Sequence, residues 1–127
     1  MLRVDTLGDL FDAAETLARV RMLHGEGLAI VTNGGGAGVL AADALSMSGG
    51  SLAKLDDATL KLLDEALPAT WSHGNPIDII GDAPVARYIV ALQAALDSPE
   101  VDAVLFMHAP TAVVPAVDIA NACLPLM

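Results

Sequence analysis

The side chains in this sequence that could do chemistry are few, and most fall in or beside two loops. The first is Asn33-Gly34-Gly35-Gly36-Ala37-Gly38, which follows the apolar run Leu28 to Val31 and opens a helical stretch. Glycines supply positive φ and remove Cβ atoms, so backbone N–H groups can approach a ligand. A helix beginning near Gly38 would point its positive end at the same spot, which makes a site for an anion or a carboxylate. The alternative is a tight strand-to-helix turn whose glycines serve packing. The run lacks the Lys-Ser/Thr of a P-loop, and Val39 stands where the dinucleotide fingerprint needs its third glycine, so neither autonomous nucleotide hydrolysis nor hydride transfer is supported.

The second loop, His108-Ala109-Pro110-Thr111, lies where the apolar run Val101 to Met107 hands over to a helix expected from about Pro115. His73 and His108 are candidates for a base or a phosphoryl carrier, against the plainer reading of hydrogen-bonded surface residues. His24 reads as a solvated turn residue. The three have no metal-ligand spacing, and no HxxxH, CxxC or GxSxG pattern occurs. Asp78 is an acidic residue inside an apolar strand pattern. It is either a buried group bonded to turn N–H groups or a residue displayed toward a ligand.

The elements that must position these residues alternate along the chain. Leu7, Leu10, Phe11, Ala14, Leu17 and Ala18 share one helical face over residues 7–22, and Thr6 with Asp9 marks its start. Leu2 to Val4 reads as a short strand before it. The turn His24 to Gly27 separates this segment from the glycine-loop unit. Ser48-Gly49-Gly50 stops the helix after that loop, and Leu52 to Leu55 reads as a second strand. Asp56 caps the next helix, with Leu55 and Leu60 as a hydrophobic staple, and Pro68 closes that segment. Gly74-Asn75-Pro76 introduces a third strand through Ile80. Asp82 reads as the cap of a helix over 85–96, and Val101 to Met107 is a fourth strand.

Strands and helices in alternation imply an α/β fold: a flavodoxin-like or Rossmann-like parallel sheet with helices on both faces and right-handed crossovers. A fifth strand is expected in such a unit, so the pattern reads as a truncated domain. Of the 127 residues 54% are hydrophobic, enough for one core. Sixteen acidic against six basic side chains give a net charge of −10, which excludes nucleic acid and anionic membrane as partners. The longest uncharged runs, Leu28 to Ala42 and Ala103 to Val117, are too short to span a bilayer and are broken by glycine or proline. Cys123 is the only cysteine, read as a small buried hydrophobe in a reducing, cytoplasmic setting.

Thr32 to Leu45, followed by Gly74-Asn75-Pro76-Ile77-Asp78-Ile79-Ile80-Gly81-Asp82-Ala83 and Arg87-Tyr88, resembles the NDP-forming acyl-CoA synthetases over nearly the whole chain. Within that family the chain is similar to the flavodoxin-like CoA-ligase domain, the counterpart of the C-terminal part of the succinyl-CoA synthetase β subunit. The resemblance implies that residues 25–127 form this domain without its last strand, and that residues 1–24 are the closing strand and helix of a preceding ligase domain or a linker. It matches Asn33, Gly34, Gly35, Gly36 and Gly38 to a loop that helps hold the acyl group. His108, Ala109, Pro110 and Thr111 match a loop whose following helix faces the phosphohistidine, with Asn75, Pro76 and Asp78 in support. The family's phosphorylated histidine matches none of the three here, and His108-Ala109-Pro110 departs from the glycine pair of succinyl-CoA synthetase. The fragment alone is expected to bind no cofactor; CoA, ATP or ADP and magnesium are implied for a parent protein. The implied partners are its CoA-binding, phosphohistidine-bearing and ATP-grasp domains, an acyl substrate or acyl phosphate, and a second copy on an exposed sheet edge. Similar domains occur fused to an acetyltransferase domain in protein lysine acetylases, where the ligase-like portion regulates. A scaffold that binds nothing through these loops is the remaining alternative.

Overall fold

The computed structural model describes residues 3–19 and 25–127. Helix α1 (Leu7–Arg19) opens on the expected reciprocal cap: the Thr6 N–H donates to Asp9 Oδ2 at 3.0 Å and the Asp9 N–H to Thr6 Oγ1 at 3.1 Å. Its apolar stripe is not covered, and Leu7, Phe11 and Leu17 stay exposed. The expected strand at Leu2 to Val4 falls partly outside the described residues, and Arg3 and Val4 are not strand. His24 also lies outside them.

Four parallel strands follow: β1 (Gly27–Thr32), β2 (Ser51–Leu52), β3 (Ile77–Asp78) and β4 (Ala103–Met107). Strand β1 is the centre. Along one edge it pairs with β4 through five successive registers, Leu28 with Ala103 to Thr32 with Met107. Along the other edge β2 pairs only with Gly27 and Leu28, and β3 only with Val31 and Thr32. The second and third expected strands are therefore two short pieces laid end to end, not full neighbours.

The gap between them is closed by a side chain. Asn75 Oδ1 accepts from the Ile30 N–H at 3.0 Å, and Asn75 Nδ2 donates to the carbonyls of Leu28 at 2.8 Å and Ala53 at 3.0 Å. The carboxamide thus replaces the missing stretch of ladder, with one acceptor and two donors in the place of backbone groups. The ladder resumes where the Ile79 N–H donates to the Thr32 carbonyl at 2.8 Å.

Helices cover both faces, α2 (Gly35–Met47) on one and α3 (Asp57–Ala66), α4 (Val85–Asp97) and α5 (Ala116–Cys123) on the other. The second face holds the core, where Val31, Leu63, Trp71, Ile77, Ile79, Tyr88, Leu92, Ile119 and Cys123 are all buried. Helix α2 ends as the sequence predicts: Gly49, at φ +81°, and Gly50 donate back to the Ser46 and Leu45 carbonyls at 3.0 Å each. Asp56 accepts from the Thr59 N–H and caps α3. Asp82, by contrast, does not cap α4. Pro84 takes the N-cap position, and Asp82 instead pairs with Arg87 at 2.7 Å, while the same guanidinium donates to the Ile79 carbonyl. A carboxylate two residues before the N-cap is displaced by the proline, and the nearby cation holds it. No helix among the described residues is long and apolar enough to cross a membrane.

Candidate functional site

The two loops singled out in the sequence meet at the carboxyl edge of the sheet, because β1 and β4 are adjacent and in register to their last residues. Asn33 makes the join. Its side chain is buried, its Nδ2 donates to the Ala109 carbonyl at 2.9 Å, and its Oδ1 accepts from the Ala109 N–H at 2.7 Å. Both polar ends of the amide are therefore committed to one backbone residue 76 positions away. Asn33 braces the loop pair, with one N–H and one lone pair of its amide engaged at Ala109.

The glycines serve close approach, not left-handed backbone. Helix α2 begins at Gly35, earlier than expected, so Gly35, Gly36 and Gly38 are helical, and none of the four has positive φ. Gly34 is the N-cap at φ −127°, with its N–H donating to Thr32 Oγ1 at 3.0 Å. A Cβ there would stand 2.9 Å from the Ala109 Cβ, so a side chain at Gly34 would push the second loop away. A Cβ at Gly35 would meet Asp78 Oδ2 at 2.6 Å, and one at Gly38 would press on Thr32 and Pro76. At Gly36 a Cβ would meet nothing. The first N–H groups of α2 lack intrahelical acceptors, as at any helix start, and the open side of that end is at Gly36.

Asp78 resolves the sequence's two alternatives in part. Its Oδ1 accepts from the Ile80 N–H at 2.9 Å, across a turn that holds Ile80 at φ +69°, and its other oxygen lies against Gly35. The carboxylate is thus both a turn acceptor and a negative charge at the positive end of α2. Its own N–H donates to Ser72 Oγ at 2.9 Å, and Ser72 Oγ donates to the Pro76 carbonyl at 2.6 Å, across the cis Asn75–Pro76 peptide.

His108 turns away from the glycines. Its Nδ1 pairs with the buried Tyr88 hydroxyl at 3.0 Å, and the two rings meet edge to face with centroids 5.6 Å apart. Burial raises the Tyr88 phenol above its ordinary value. Nε2 of His108 is enclosed and has no hydrogen-bond partner. A ring so placed offers neither nitrogen to an incoming phosphoryl group. His73 is also occupied at both nitrogens, by Asp64 at 2.7 Å and the Ala69 carbonyl at 3.1 Å. Pro110 and Thr111 are exposed and make no hydrogen bond to the glycine loop; the Thr111 hydroxyl accepts from the Val113 N–H at 3.4 Å. Cys123, the last residue of α5, is buried, and desolvation pushes its thiol up, which makes it a poor nucleophile. Two residues of the family-like stretches that were given no role in the sequence also border the site: Tyr88, whose hydroxyl holds His108, and Gly81, where a Cβ would stand 3.7 Å from the Asn33 carbonyl. Among the described residues no cluster of three or more His, Cys, Asp or Glu is placed to hold a metal ion.

A parallel α/β sheet with two loops braced together at its carboxyl edge defines the class, and comparison with known proteins supplies the family. Residues 28–125 match the Ligase-CoA domain model, and the chain belongs to that family. It is 40% identical over 112 residues to the ADP-forming acetate–CoA ligase I of Archaeoglobus fulgidus, covering 88% of this chain and 16% of that protein. It is 34% identical over 110 residues to the ADP-forming 4-hydroxybutyrate–CoA ligase of Nitrosopumilus maritimus, with 87% of this chain and 16% of that protein covered. The dinucleotide-forming acetyl-coenzyme A synthetase 1 of Ca. Korarchaeum cryptofilum, solved in complex with phosphate and ADP, superposes with a TM-score of 0.91 at 34% identity, over 98% of this chain and 27% of that one. The chain therefore spans only a small part of the relatives it matches.

Proposed function

We propose that this chain is the acyl-site domain of an NDP-forming acyl-CoA synthetase, a parent enzyme that interconverts acyl-CoA, ADP and phosphate with acid, CoA and ATP. The observation that carries the reading is the reciprocal Asn33–Ala109 pair, which welds the glycine loop to the second loop and so makes one rigid wall at the sheet edge. The relatives' names, which specify ADP-forming ligation of CoA to small carboxylic acids, support it.

In this reading phosphate displaces CoA from acyl-CoA to give acyl phosphate, which passes its phosphoryl group to a histidine outside this chain and then to ADP. The wall's part is electrostatic. Negative charge on the acyl carboxylate or on a phosphoryl oxygen faces the N–H groups at the start of α2 from the Gly36 side, while the Asp78 carboxylate fills the opposite side. His73 and His108 do not carry the phosphoryl group, since the ring nitrogens of each are bonded or enclosed. CoA, ATP or ADP and magnesium belong to the parent's other domains. Residues 1–24 are then the end of a preceding ligase domain or a linker, and residues 25–127 form the CoA-ligase domain. The bare outer edge of β4, the 39% exposure of Leu105 on it, and the exposed Val39, Leu40 and Met47 of α2 are the surfaces those domains would cover.

The test is to assay acyl-CoA formation from ATP, CoA and either acetate or 4-hydroxybutyrate, using the isolated chain and the complete polypeptide that contains it. The proposal expects activity from the complete polypeptide alone. Comparable activity in the isolated chain, or none with either acid in a folded complete polypeptide, would overturn it.

A further inference from the structure

The segment between α3 and β3 is fastened at an unusual point. His73 has two acceptors and no donor at hydrogen-bond distance from its ring nitrogens: Asp64 Oδ1 at 2.7 Å from Nδ1 and the Ala69 carbonyl at 3.1 Å from Nε2. A neutral imidazole carries one N–H and can satisfy only one of them, whereas an imidazolium donates to both. The same Asp64 oxygen accepts from Trp71 Nε1 at 2.8 Å, and the Trp71 and His73 rings lie 5.0 Å apart. The backbone at His73 sits at φ +52°, in the left-handed region. One residue earlier, Ser72 bonds to the Pro76 carbonyl and to the Asp78 N–H. Two residues later, Asn75 completes the central ladder. A shallow hollow beside the ring is lined by Lys54 and Leu60, so the charged groups facing His73 are Asp64 on α3 and Lys54 on the β2–α3 connection.

We propose that His73 is a proton-operated strut, which when charged fastens residues 69–76 to α3 and, through Ser72, holds the Asp78 wall of the candidate site in place. When the ring loses its proton one of the two bonds goes with it, and the segment loosens toward Asp78. The inference is independent of which ligand the site takes.

The direction of the titration follows from the same contacts. Hydrogen bonding to the Ala69 carbonyl and then to Asp64 raises the His73 pKa, while hydrogen bonds from Trp71 and His73 lower that of Asp64. A raised histidine pKa gives order that is complete below the unfolded-state value and lost as pH rises through the folded-state value. Because His73 and Asp64 are each about half exposed, the effect is local and modest.

The experiment is an NMR titration of the 127-residue chain from about pH 5.5 to about pH 8.5, following the His73 ring and the exchange protection of the Asp78 N–H. His73 should titrate above about 6.5, and protection at Asp78 should be about two- to fivefold greater at the acid end. His73→Gln should abolish that pH dependence. Asp64→Asn, which keeps an acceptor for Trp71, should lower the midpoint. A His73 midpoint at or below the ordinary value overturns the proposal, as does equal Asp78 protection at both ends of the range or a pH dependence that survives in His73→Gln.

Discussion

Replacing Asn75 with alanine removes the carboxamide that stands in for a length of β-ladder, and the structure allows the cost to be worked out. Three hydrogen bonds go, and the loss is unequal among them. The Leu28 carbonyl keeps the Ala53 N–H as a donor at 2.9 Å, so it stays satisfied. The Ile30 N–H belongs to a fully buried residue and loses the partner it has in Asn75 Oδ1. A net bond contributes about 1 kcal/mol and a buried orphan costs about 1–3 kcal/mol, so Asn75→Ala should destabilise by about 2–4 kcal/mol. In a urea titration that is a midpoint lowered by about 1–2 M with the slope unchanged. Asn75→Asp separates the two functions of the amide. Its carboxylate still accepts from Ile30 but turns negative charge on the Leu28 and Ala53 carbonyls, so at neutral pH it should be at least as damaging as alanine. Part of the loss should return below about pH 4, where a protonated carboxyl recovers a donor. If Asn75→Ala unfolds within about 0.5 kcal/mol of the parent sequence, the ladder-filling role is wrong.

Other substitutions probe the site and the core. Gly34→Ala puts a Cβ against Ala109 and should destabilise by about 1–3 kcal/mol, whereas Gly36→Ala enters open space in a helix and should stabilise by about 0.5 kcal/mol; equal effects in thermal melts would refute the close-approach account of Gly34. The Cys123 thiol, buried and pushed up by desolvation, should react with a thiol reagent in the native protein far more slowly than after unfolding in urea, and equal rates would place it on the surface.

The elements of this fold were legible because local rules governed them. The Thr6–Asp9 cap, the Gly49-Gly50 stop, the Asp56 cap and the apolar runs at β1 and β4 each follow from residues within a few positions of one another. The meeting of the two loops was legible as well, since parallel strands with helical crossovers bring strand ends to one edge. What escaped was long-range. That β2 and β3 share a single edge of β1 depends on Asn75 reaching residues 45 and 47 positions away, which no periodicity records. The glycines of the first loop read as a demand for positive φ, but three of them answer to a neighbour brought in by the fold, Gly34 to Ala109, Gly35 to Asp78 and Gly38 to Thr32 and Pro76, while Gly36 faces open space. The bracing of Asn33 against Ala109 escaped likewise, since that partner lies 76 positions on.

The central claim is that Asn33, Gly34 to Gly38 and Ala109 form one wall of a site for an anionic group, and it can be tested directly on the chain itself. Amide chemical shifts followed during titration with inorganic phosphate, and separately with acetate, should move at Gly35, Gly36 and Ala37, with Ala109 responding through its bonds to Asn33. Shifts that gather elsewhere on the surface, or none at millimolar anion, would contradict the claim and leave the glycine loop as a packing device between two strands.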